Sequence, residues 1–454
     1  MANGAMTGAP AGHPAPAPLS YGRVLAISLP IILSNITTPL LGVTHTAVIG
    51  QLGQAHLIGA VALGGTIFSL LFWAFGFLRM GTTGLCAQAE GRGNHNLVVA
   101  ILARALLLAG IAGAALILLR RPIGLIALDL IEASGAVEAE TQSYFAIRIW
   151  SAPFALANYA FLGWFIGLAK TRIAFLLQIV LNGLNVLLSI VLVSGLGWDV
   201  AGVAISTVIA EFAAAALGAV IAIRESRARN AAFSWGGTLD LAGLRRMLAV
   251  NADLMIRTLC LLFAFTFFTA QAAKAGEVIL AANAILLQFL NIATYLLDGF
   301  AFATEALIGQ AIGAADRAHF RRAIRLSSVW AAGVSLAVSL VFLLAGGPII
   351  DALTSDAQLR EVARHYLVWA IAAPVAGVAC FQLDGIFIGA TRTADMRNMM
   401  IVSLAVFMAA WALLTPPFGN HGLWAALIVF FVARALTLGA YYPALERASF
   451  GKFM

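Results

Sequence analysis

Long apolar runs alternate with short polar segments along almost the whole chain. Most runs reach the roughly 20 residues that an α-helix needs to cross the hydrocarbon core of a bilayer. The pattern predicts an all-α polytopic membrane protein with twelve membrane-spanning helices. Their predicted bounds are 20–50, 56–80, 96–119, 137–166, 171–195, 199–223, 242–275, 277–312, 320–345, 358–390, 395–415 and 420–444. A short interfacial helix is expected over residues 122–131.

The first run, residues 24–50, carries two prolines and a series of polar groups that ends at His45. An unpaired polar group in hydrocarbon costs several kcal/mol. We therefore expect this helix to face a cavity or other helices rather than lipid. Pro39 removes one backbone hydrogen bond and permits a local kink.

Composition supports the membrane assignment, because 62% of the residues are hydrophobic and 10% are charged, against about 25% charged in soluble domains. If the N-terminus lies inside, 18 Lys and Arg residues fall in inside segments and 5 in outside segments. This bias predicts that both termini are cytoplasmic. We expect a multi-pass location in the bacterial plasma (inner) membrane. The net charge of +7 belongs to these loops, so we expect no nucleic-acid partner.

The first 19 residues are rich in Ala, Pro and Gly and lack the basic and apolar regions of a signal peptide. This composition favours a disordered cytoplasmic tail. The three cysteines, Cys86, Cys260 and Cys380, are far apart and indicate neither a disulfide framework nor a metal site. The chain has no phosphate-binding loop motif, so we expect no ATP hydrolysis, no enzymatic activity and no cofactor.

The two halves of the chain repeat each other at an offset of 222 positions. GWFIG at 163–167 corresponds to GIFIG at 385–389, and Gln88 corresponds to Gln310. Six helices per half give both halves the same orientation, as in transporters that hold substrate between parallel repeats. The predicted units are a tail (1–19), an N-lobe (20–223), a cytoplasmic linker (224–241), a C-lobe (242–445) and a cytoplasmic C-terminus (446–454).

Five segments carry a family resemblance: TAVIGQLG (46–53), LRMGTTGLCAQAEG (78–91), IRIWSAPFALAN (147–158), LDGFAFATEALIGQAIGA (297–314) and LDGIFIGATRTADMRN (383–398). They resemble the DinF branch of the multidrug and toxic compound extrusion (MATE) transporters, and the likeness covers nearly the whole chain after the tail. The resemblance implies two six-helix lobes around a V-shaped cleft. It also implies export of organic, often cationic and lipophilic, compounds driven by an inward proton or sodium gradient.

The chain departs from the family pattern where relatives have two N-lobe carboxylates. DinF-type relatives typically read V-D-T-A-V in the first span, whereas this chain has His45 in the aspartate position. The fifth span of relatives often reads N-x-x-N-x-x-x-D, whereas Asn182 and Asn185 are followed here by Ser189. Both carboxylates of the family's usual cation or proton site in this lobe are therefore replaced.

We predict a polar N-lobe chamber in which His45 is the one titratable group. The chamber residues are Ser34, Thr38, His45, Asn158, Gln178, Asn182, Asn185 and Ser189. Histidine can bind and release a proton near neutral pH, as a coupling site requires. The alternative is a neutral His45 in a structural hydrogen-bond network between helices. Because hard cations prefer oxygen ligands, histidine disfavours sodium as the coupling ion here.

The C-lobe holds the other acidic candidates. Asp298 and Asp384, on the eighth and tenth spans, are candidates for a relocated proton site gated by Arg257. Asp253 and Arg257 are one turn apart on the seventh span and are predicted to form an ion pair that closes an inner gate or holds the lobe together. Glu305 shares a face with Asp298 and is expected to reach the interface.

The sequence predicts a monomeric proton-coupled efflux transporter that contacts a small organic substrate and membrane lipid. A lipid-linked precursor flippase is one alternative, and it would need a cationic cavity, for which Arg104, Arg148 and Arg257 are candidates. A facilitator that lost coupling with its N-lobe acids is another. A membrane-embedded enzyme or receptor would need a catalytic constellation, which the sequence does not contain. Glu211 and Arg434 receive no role.

Overall fold

A computed structural model describes residues 19–129 and 134–451 of the chain. The side chain of Thr38 and nearly all of the predicted tail lie outside the described residues. All twelve predicted spans are present as helices. Numbered from span 1 to span 12, they are Tyr21–Gly50, Ala55–Gly91, His95–Leu118, Gly135–Gly167, Thr171–Gly195, Asp199–Ala228, Leu241–Lys274, Glu277–Gly313, Arg317–Leu353, Ala357–Gly389, Thr393–Phe418 and Asn420–Phe450.

In the described part of the chain, two short helices lie outside the spans. Arg120–Asp129 corresponds to the predicted interfacial helix, and Trp235–Thr238 lies in the segment between the lobes. Span 4 is interrupted by a single 3-10 turn at Ile149–Ser151, just before Pro153. Because proline has no N–H to donate, the regular α-helical bonding pattern cannot continue through it unchanged.

Span 2 differs most from its predicted bounds. It consists of two helices, Ala55–Ala74 and Phe77–Gly91, and continues eleven residues beyond the predicted end at residue 80. From the sequence alone, the polar residues of this second helix favour a loop. They are instead buried, as Thr82 and Gln88 illustrate, because spans 7 and 8 of the other lobe pack against them.

The two lobes meet at the end of the bundle that carries both chain termini, here called the terminal face. Gln88 Nε2 donates to the Gly389 carbonyl at 3.1 Å, and Gln310 Nε2 donates to the Gly167 carbonyl at 2.9 Å. Each residue of one bond lies 222 positions from its counterpart in the other. The sequence repeat therefore relates the two contacts, as expected for parallel repeats.

Two glycines let the lobes approach each other at this face. A Cβ added to Gly91 would lie 2.1 Å from the carbonyl oxygen of Gln310, and one added to Gly313 would lie 2.2 Å from that of Gln88. Only glycine allows the backbones to come so close. These two positions are also 222 apart, so the same device occurs once in each lobe.

Each lobe has its own apolar interior. Trp164 is fully buried in the N-lobe, where its indole N–H donates to the Val98 carbonyl at 3.0 Å, and Trp424 is fully buried in the C-lobe. The outer surface is also apolar, as the 73% exposed side chain of Leu344 illustrates. An apolar exterior is what a helical bundle presents to lipid.

Candidate substrate and proton sites

A cavity of about 330 Å³ lies inside the C-lobe, on the side that faces the N-lobe. Spans 7, 8, 10 and 12 form most of its wall, and two residues of span 2 complete it. Its aromatic lining comprises Trp73, Phe265, Phe302, Phe381 and Phe431, and its charged lining comprises Arg257, Asp298, Glu305, Asp384 and Arg434. Apolar walls with a few convergent polar groups are typical of small-molecule sites.

Asp384 lies between two guanidinium groups in this cavity. Arg434 Nη2 donates to Asp384 Oδ2 at 2.6 Å, and Arg257 Nη2 donates to the same oxygen. All three side chains are less than a tenth exposed. Two buried cations thus compensate one carboxylate, which makes Asp384 the centre of an ion cluster.

The predicted ion pair between Asp253 and Arg257 is wrong. Arg397 Nη1 of span 11 donates to Asp253 Oδ1 at 2.6 Å, and the Thr393 hydroxyl donates to Oδ2 at 2.9 Å. Arg257 instead reaches Asp384 on span 10. A spacing of four residues permits pairing along one helix, but each side chain has a partner on a neighbouring span.

Glu305 was predicted to reach the membrane interface, and this prediction is wrong. It is 1% exposed, and Arg79 Nη1 of span 2 donates to its Oε2 at 3.1 Å. The Arg79 guanidinium also lies 3.6 Å from the centre of the Phe302 ring, within cation–π range. This ion pair joins the two lobes and escaped the sequence analysis, because its members come from different halves of the chain.

Asp298 is the exception among the acids of the cavity. It lines the cavity seven residues before Glu305, on the same helical face. Within the described part of the chain it makes no hydrogen bond and no ion pair, and Arg79 and Arg257 act on it only through longer-range electrostatics. The cavity therefore contains one carboxylate without a bonded cation.

The N-lobe chamber is a hydrogen-bond network of His45 with amide and hydroxyl groups, centred on Asn185. His45 Nε2 lies 2.9 Å from Asn185 Oδ1, and since an amide oxygen only accepts, the imidazole N–H donates. Asn185 Nδ2 donates to the Thr207 hydroxyl at 3.2 Å. The hydroxyls of Ser189 and Ser206 lie 2.7 Å apart and reach Asn185 Oδ1 at 3.3 and 3.2 Å.

The structure thus brings together three predicted chamber residues, His45, Asn185 and Ser189, and adds two hydroxyls of span 6. Asn182 lies one turn away, where its Nδ2 donates to the Thr37 hydroxyl at 2.8 Å. Ser34 is buried on span 1, and its carbonyl accepts from the same Thr37 hydroxyl at 2.7 Å. Gln178 lies a further turn along span 5.

Asn158 is not part of the Asn185 network, contrary to the prediction. Its Nδ2 donates to Glu211 Oε2 at 2.6 Å and to the Glu211 carbonyl at 3.0 Å. Asn158 is on span 4 and Glu211 on span 6, so this contact joins two helices of the N-lobe. The sequence could have suggested a role for Glu211, because an ionisable residue inside an apolar span is a functional candidate by default.

Arg104 and Arg148, two of the candidates for a cationic cavity, make structural contacts instead. Arg104 donates from Nε to the Thr238 carbonyl at 3.1 Å and from Nη2 to the Gly237 carbonyl at 2.6 Å, which ties the inter-lobe segment to span 3. Arg148 Nη1 donates to the Tyr144 hydroxyl at 2.7 Å. Neither residue lines the C-lobe cavity. In the described ranges, no group of three or more His, Cys, Asp or Glu side chains is arranged to hold a metal ion.

Comparison with known proteins decides the family. The MatE family model matches residues 30–191 and 254–414, more than two thirds of the chain. DNA damage-inducible protein F of Escherichia coli (strain K12) is 44% identical over 421 residues, which cover 92% of this chain and 90% of that protein. The chain belongs to the MATE family. The family resemblance of the five sequence segments is confirmed.

Other MATE proteins support the same assignment. A probable multidrug resistance protein NorM of Rhizobium meliloti (strain 1021) is 26% identical, and the match covers 95% of this chain and 95% of that protein. The structure of the Vibrio cholerae MATE transporter VcmN in the bent form matches with a TM-score of 0.84 at 20% identity, covering 96% of this chain and 98% of that chain. The structure of a multidrug resistance MATE transporter in its outward-facing conformation matches with a TM-score of 0.83 at 18% identity, covering 94% of this chain and 96% of that chain. This MATE chain is a multi-pass membrane protein and a multidrug efflux transporter.

Proposed function

We propose that this MATE transporter exports lipophilic organic cations in exchange for protons, with Asp298 as the group that binds either one. The observation that carries the proposal is the aromatic C-lobe cavity with Asp298 as its one carboxylate without a bonded cation. Aromatic faces attract cations. A carboxylate that makes no hydrogen bond or ion pair of its own in such surroundings is costly while it is ionised.

The charge balance of the cavity supports exchange. Arg257 and Arg434 carry two positive charges, Asp384 and Asp298 carry two negative charges when ionised, and Glu305 is compensated by Arg79 outside this sum. One proton or one organic cation therefore gives the cavity a charge of +1. Holding both would give +2 in a poorly solvated site, so each disfavours the other.

The orientation follows from the loop charges. We place the terminal face in the cytoplasm of a bacterial cell, with the chain in the plasma membrane as a monomer. The close contact of the lobes at that face then corresponds to a state open to the outside. Rocking of the lobes would break the two Gln–Gly bonds and the Arg79–Glu305 pair, and it would open the cavity inward.

The charge balance also bears on the flippase alternative. A pyrophosphate-bearing substrate needs spare cations, but both arginines of the cavity already bind Asp384. Asp384 itself is a less suitable proton site than Asp298, because a proton there would compete with two guanidinium groups. The facilitator alternative is decided by whether a pH gradient drives transport.

Proteoliposomes test the proposal. A pH gradient imposed across the membrane should drive accumulation of a lipophilic cationic dye by the wild-type protein. The Asp298→Asn variant should lose both the gradient-driven accumulation and the pH dependence of dye binding. Asp395→Asn is the matched control, since Asp395 pairs with Arg392 at 2.6 Å and does not line the cavity. Wild-type behaviour of Asp298→Asn would overturn the assignment of the site, and a wild-type protein indifferent to the gradient would overturn proton coupling.

A further inference from the structure

We infer that the N-lobe contains a second proton-binding carboxylate, Glu211 on span 6, which pairs with the amide of Asn158. The inference rests on the proposed proton coupling and extends it to the lobe in which the two expected carboxylates are replaced. The ligand of this site is the proton itself. The site is separate from the C-lobe cavity, to whose lining neither Glu211 nor Asn158 belongs.

The position of Glu211 sets it apart from every other acid of the described N-lobe. It is twelve residues from the start of Asp199–Ala228, about 18 Å along the helix axis. It is therefore near mid-depth. The other Asp and Glu residues of the described N-lobe lie at or near helix ends: Glu90, Asp129, Glu138, Glu140, Asp199 and Glu225. Glu211 also lies one turn from the buried Thr207.

The partner of Glu211 is a neutral amide. Asn158 Nδ2 donates to Glu211 Oε2 at 2.6 Å, whereas no Lys, Arg or His of the described chain lies within ion-pair distance of Glu211. The buried C-lobe acids Asp384 and Glu305 each bind arginine. An ionised Glu211 would thus be paired with a neutral amide, whereas Asp384 and Glu305 are paired with guanidinium groups. Its charge would be poorly compensated inside the membrane.

The second observation is an unsatisfied acceptor on the same amide. Asn158 Oδ1 is buried and has no hydrogen-bond partner among the described residues. Buried polar atoms are nearly always paired. A protonated Glu211 gains an O–H donor, which can pair with Oδ1 while Nδ2 continues to donate to the other carboxyl oxygen. One proton would therefore satisfy both atoms of the amide, and its loss would leave Oδ1 unpaired.

The charged and titratable neighbours of Glu211 come from span 4. Arg148 interacts electrostatically with both Glu211 and His45, and Tyr159 with Glu211. Thr207, one turn before Glu211, accepts a hydrogen bond from Asn185, and the same Asn185 accepts one from His45. A change of charge at Glu211 can therefore act on the chamber through Arg148 and through span 6. Because Glu211 lies outside the cavity, it would act on transport as a positioning residue rather than by contact with substrate.

Infrared difference spectroscopy on the purified full chain in lipid tests the inference without substrate or transport. Titration of the wild-type protein should change the C=O band of a protonated carboxyl group. The band assigned to Glu211 should be absent from Glu211→Gln, kept in Glu211→Asp and shifted in Asn158→Leu. Glu225→Gln is the matched control on the same helix, because Glu225 binds Lys170 near the terminal face. A Glu211→Gln titration identical to that of the wild type would overturn the inference.

Transport measurements separate this outcome from that of the proposed function. Glu211→Gln should still bind the dye and release it in a pH-dependent way through Asp298, but fewer protons should enter per dye molecule exported. An unchanged proton-to-dye ratio would overturn a role in coupling. If Asp298→Asn abolishes coupling and the Glu211 band does not titrate, only this inference fails. If the band titrates and no gradient drives transport, the proposed function and the coupling role of Glu211 both fail, but the proton-binding site at Glu211 stands.

Discussion

The N-lobe and the C-lobe share a backbone plan but differ in the chemistry of their polar interiors. In the C-lobe the buried polar groups that line the cavity are ions, with Asp384 bound by two arginines. In the N-lobe chamber the buried polar groups are mainly neutral, with His45 and Asn185 bound through an amide and several hydroxyls. The repeat thus preserves the contacts made by the backbone but not the charges of the side chains.

Residues 222 positions apart show how this difference arises. Asn35 of span 1 corresponds to Arg257 of span 7, and Thr83 of span 2 corresponds to Glu305 of span 8. The Thr83 hydroxyl donates to the Arg79 carbonyl of its own helix at 2.9 Å, whereas Glu305 binds the Arg79 side chain. The two lobes therefore differ in the groups they bury, with ion pairs at the C-lobe cavity and hydrogen bonds between amides, hydroxyls and His45 in the N-lobe chamber.

Removing the centre of the C-lobe ion cluster should have the largest effect on stability. Asp384→Asn leaves the guanidinium groups of Arg257 and Arg434 buried without their counter-ion, and breaking a buried ion pair costs about 3–5 kcal/mol. A large fall in the melting temperature of the purified protein is expected. Asp395→Asn breaks a more exposed pair worth about 0–1 kcal/mol. Equal melting temperatures for the two variants would show that the C-lobe does not depend on its charges.

Removing the centre of the N-lobe network should cost less. Asn185→Leu leaves the His45 N–H without its acceptor, and an unsatisfied buried group costs about 1–3 kcal/mol. The Thr207 hydroxyl loses its bond from Asn185 but still donates to the Val203 carbonyl at 2.9 Å. Asn182→Leu is the control, because Asn182 donates a single bond to Thr37. The same melting measurement applies. If Asn185→Leu destabilised more than Asp384→Asn, the contrast between an ionic cavity and a chamber of amides and hydroxyls would be wrong as an account of stability.

Much of the fold could be predicted because its signals are local or periodic. Apolar runs of membrane-spanning length mark the helices, and the 222-residue offset indicates two parallel lobes. The end of span 2 could not be placed, because burial of Gln88 depends on the other lobe. A polar helix in contact with a second lobe has the same sequence pattern as an exposed loop.

The partners of the charged residues were harder to predict. The four-residue spacing of Asp253 and Arg257 is a local signal, but the observed partners Arg397 and Asp384 come from spans 11 and 10. Which of several acids meets an arginine depends on helix rotation, which hydropathy does not determine. The Glu211–Asn158 pair was hidden for the same reason, although each residue is conspicuous within an apolar helix.

The two Gln–Gly bonds at the terminal face allow a finer test of the repeat. Gln310→Leu removes one bond and should weaken the closed terminal face by about 1 kcal/mol, roughly fivefold in the balance between states. Gln88→Leu should weaken it more, because Gln88 also bonds Thr391 at 3.1 Å and accepts from Arg246 at 3.3 Å. Distances between spin labels on the terminal-face ends of spans 2 and 8 measure this balance. Gln142→Leu, at an exposed position of span 4, should leave the distances unchanged, and distances unaffected in all three variants would contradict the closing role.

The smallest effect is expected at His45, although the family pattern makes it the coupling position. Its bond to Asn185 Oδ1 needs a proton on Nε2, which neutral and charged imidazole can both supply. Protonation therefore does not break this bond. His45→Gln supplies an N–H donor without a titratable group, so transport and its pH dependence in proteoliposomes should change by no more than about 1 kcal/mol, the net contribution of one hydrogen bond. Loss of pH-driven transport in His45→Gln, with dye binding kept, would place coupling at His45 and give the N-lobe chamber the role assigned here to Asp298 and Glu211.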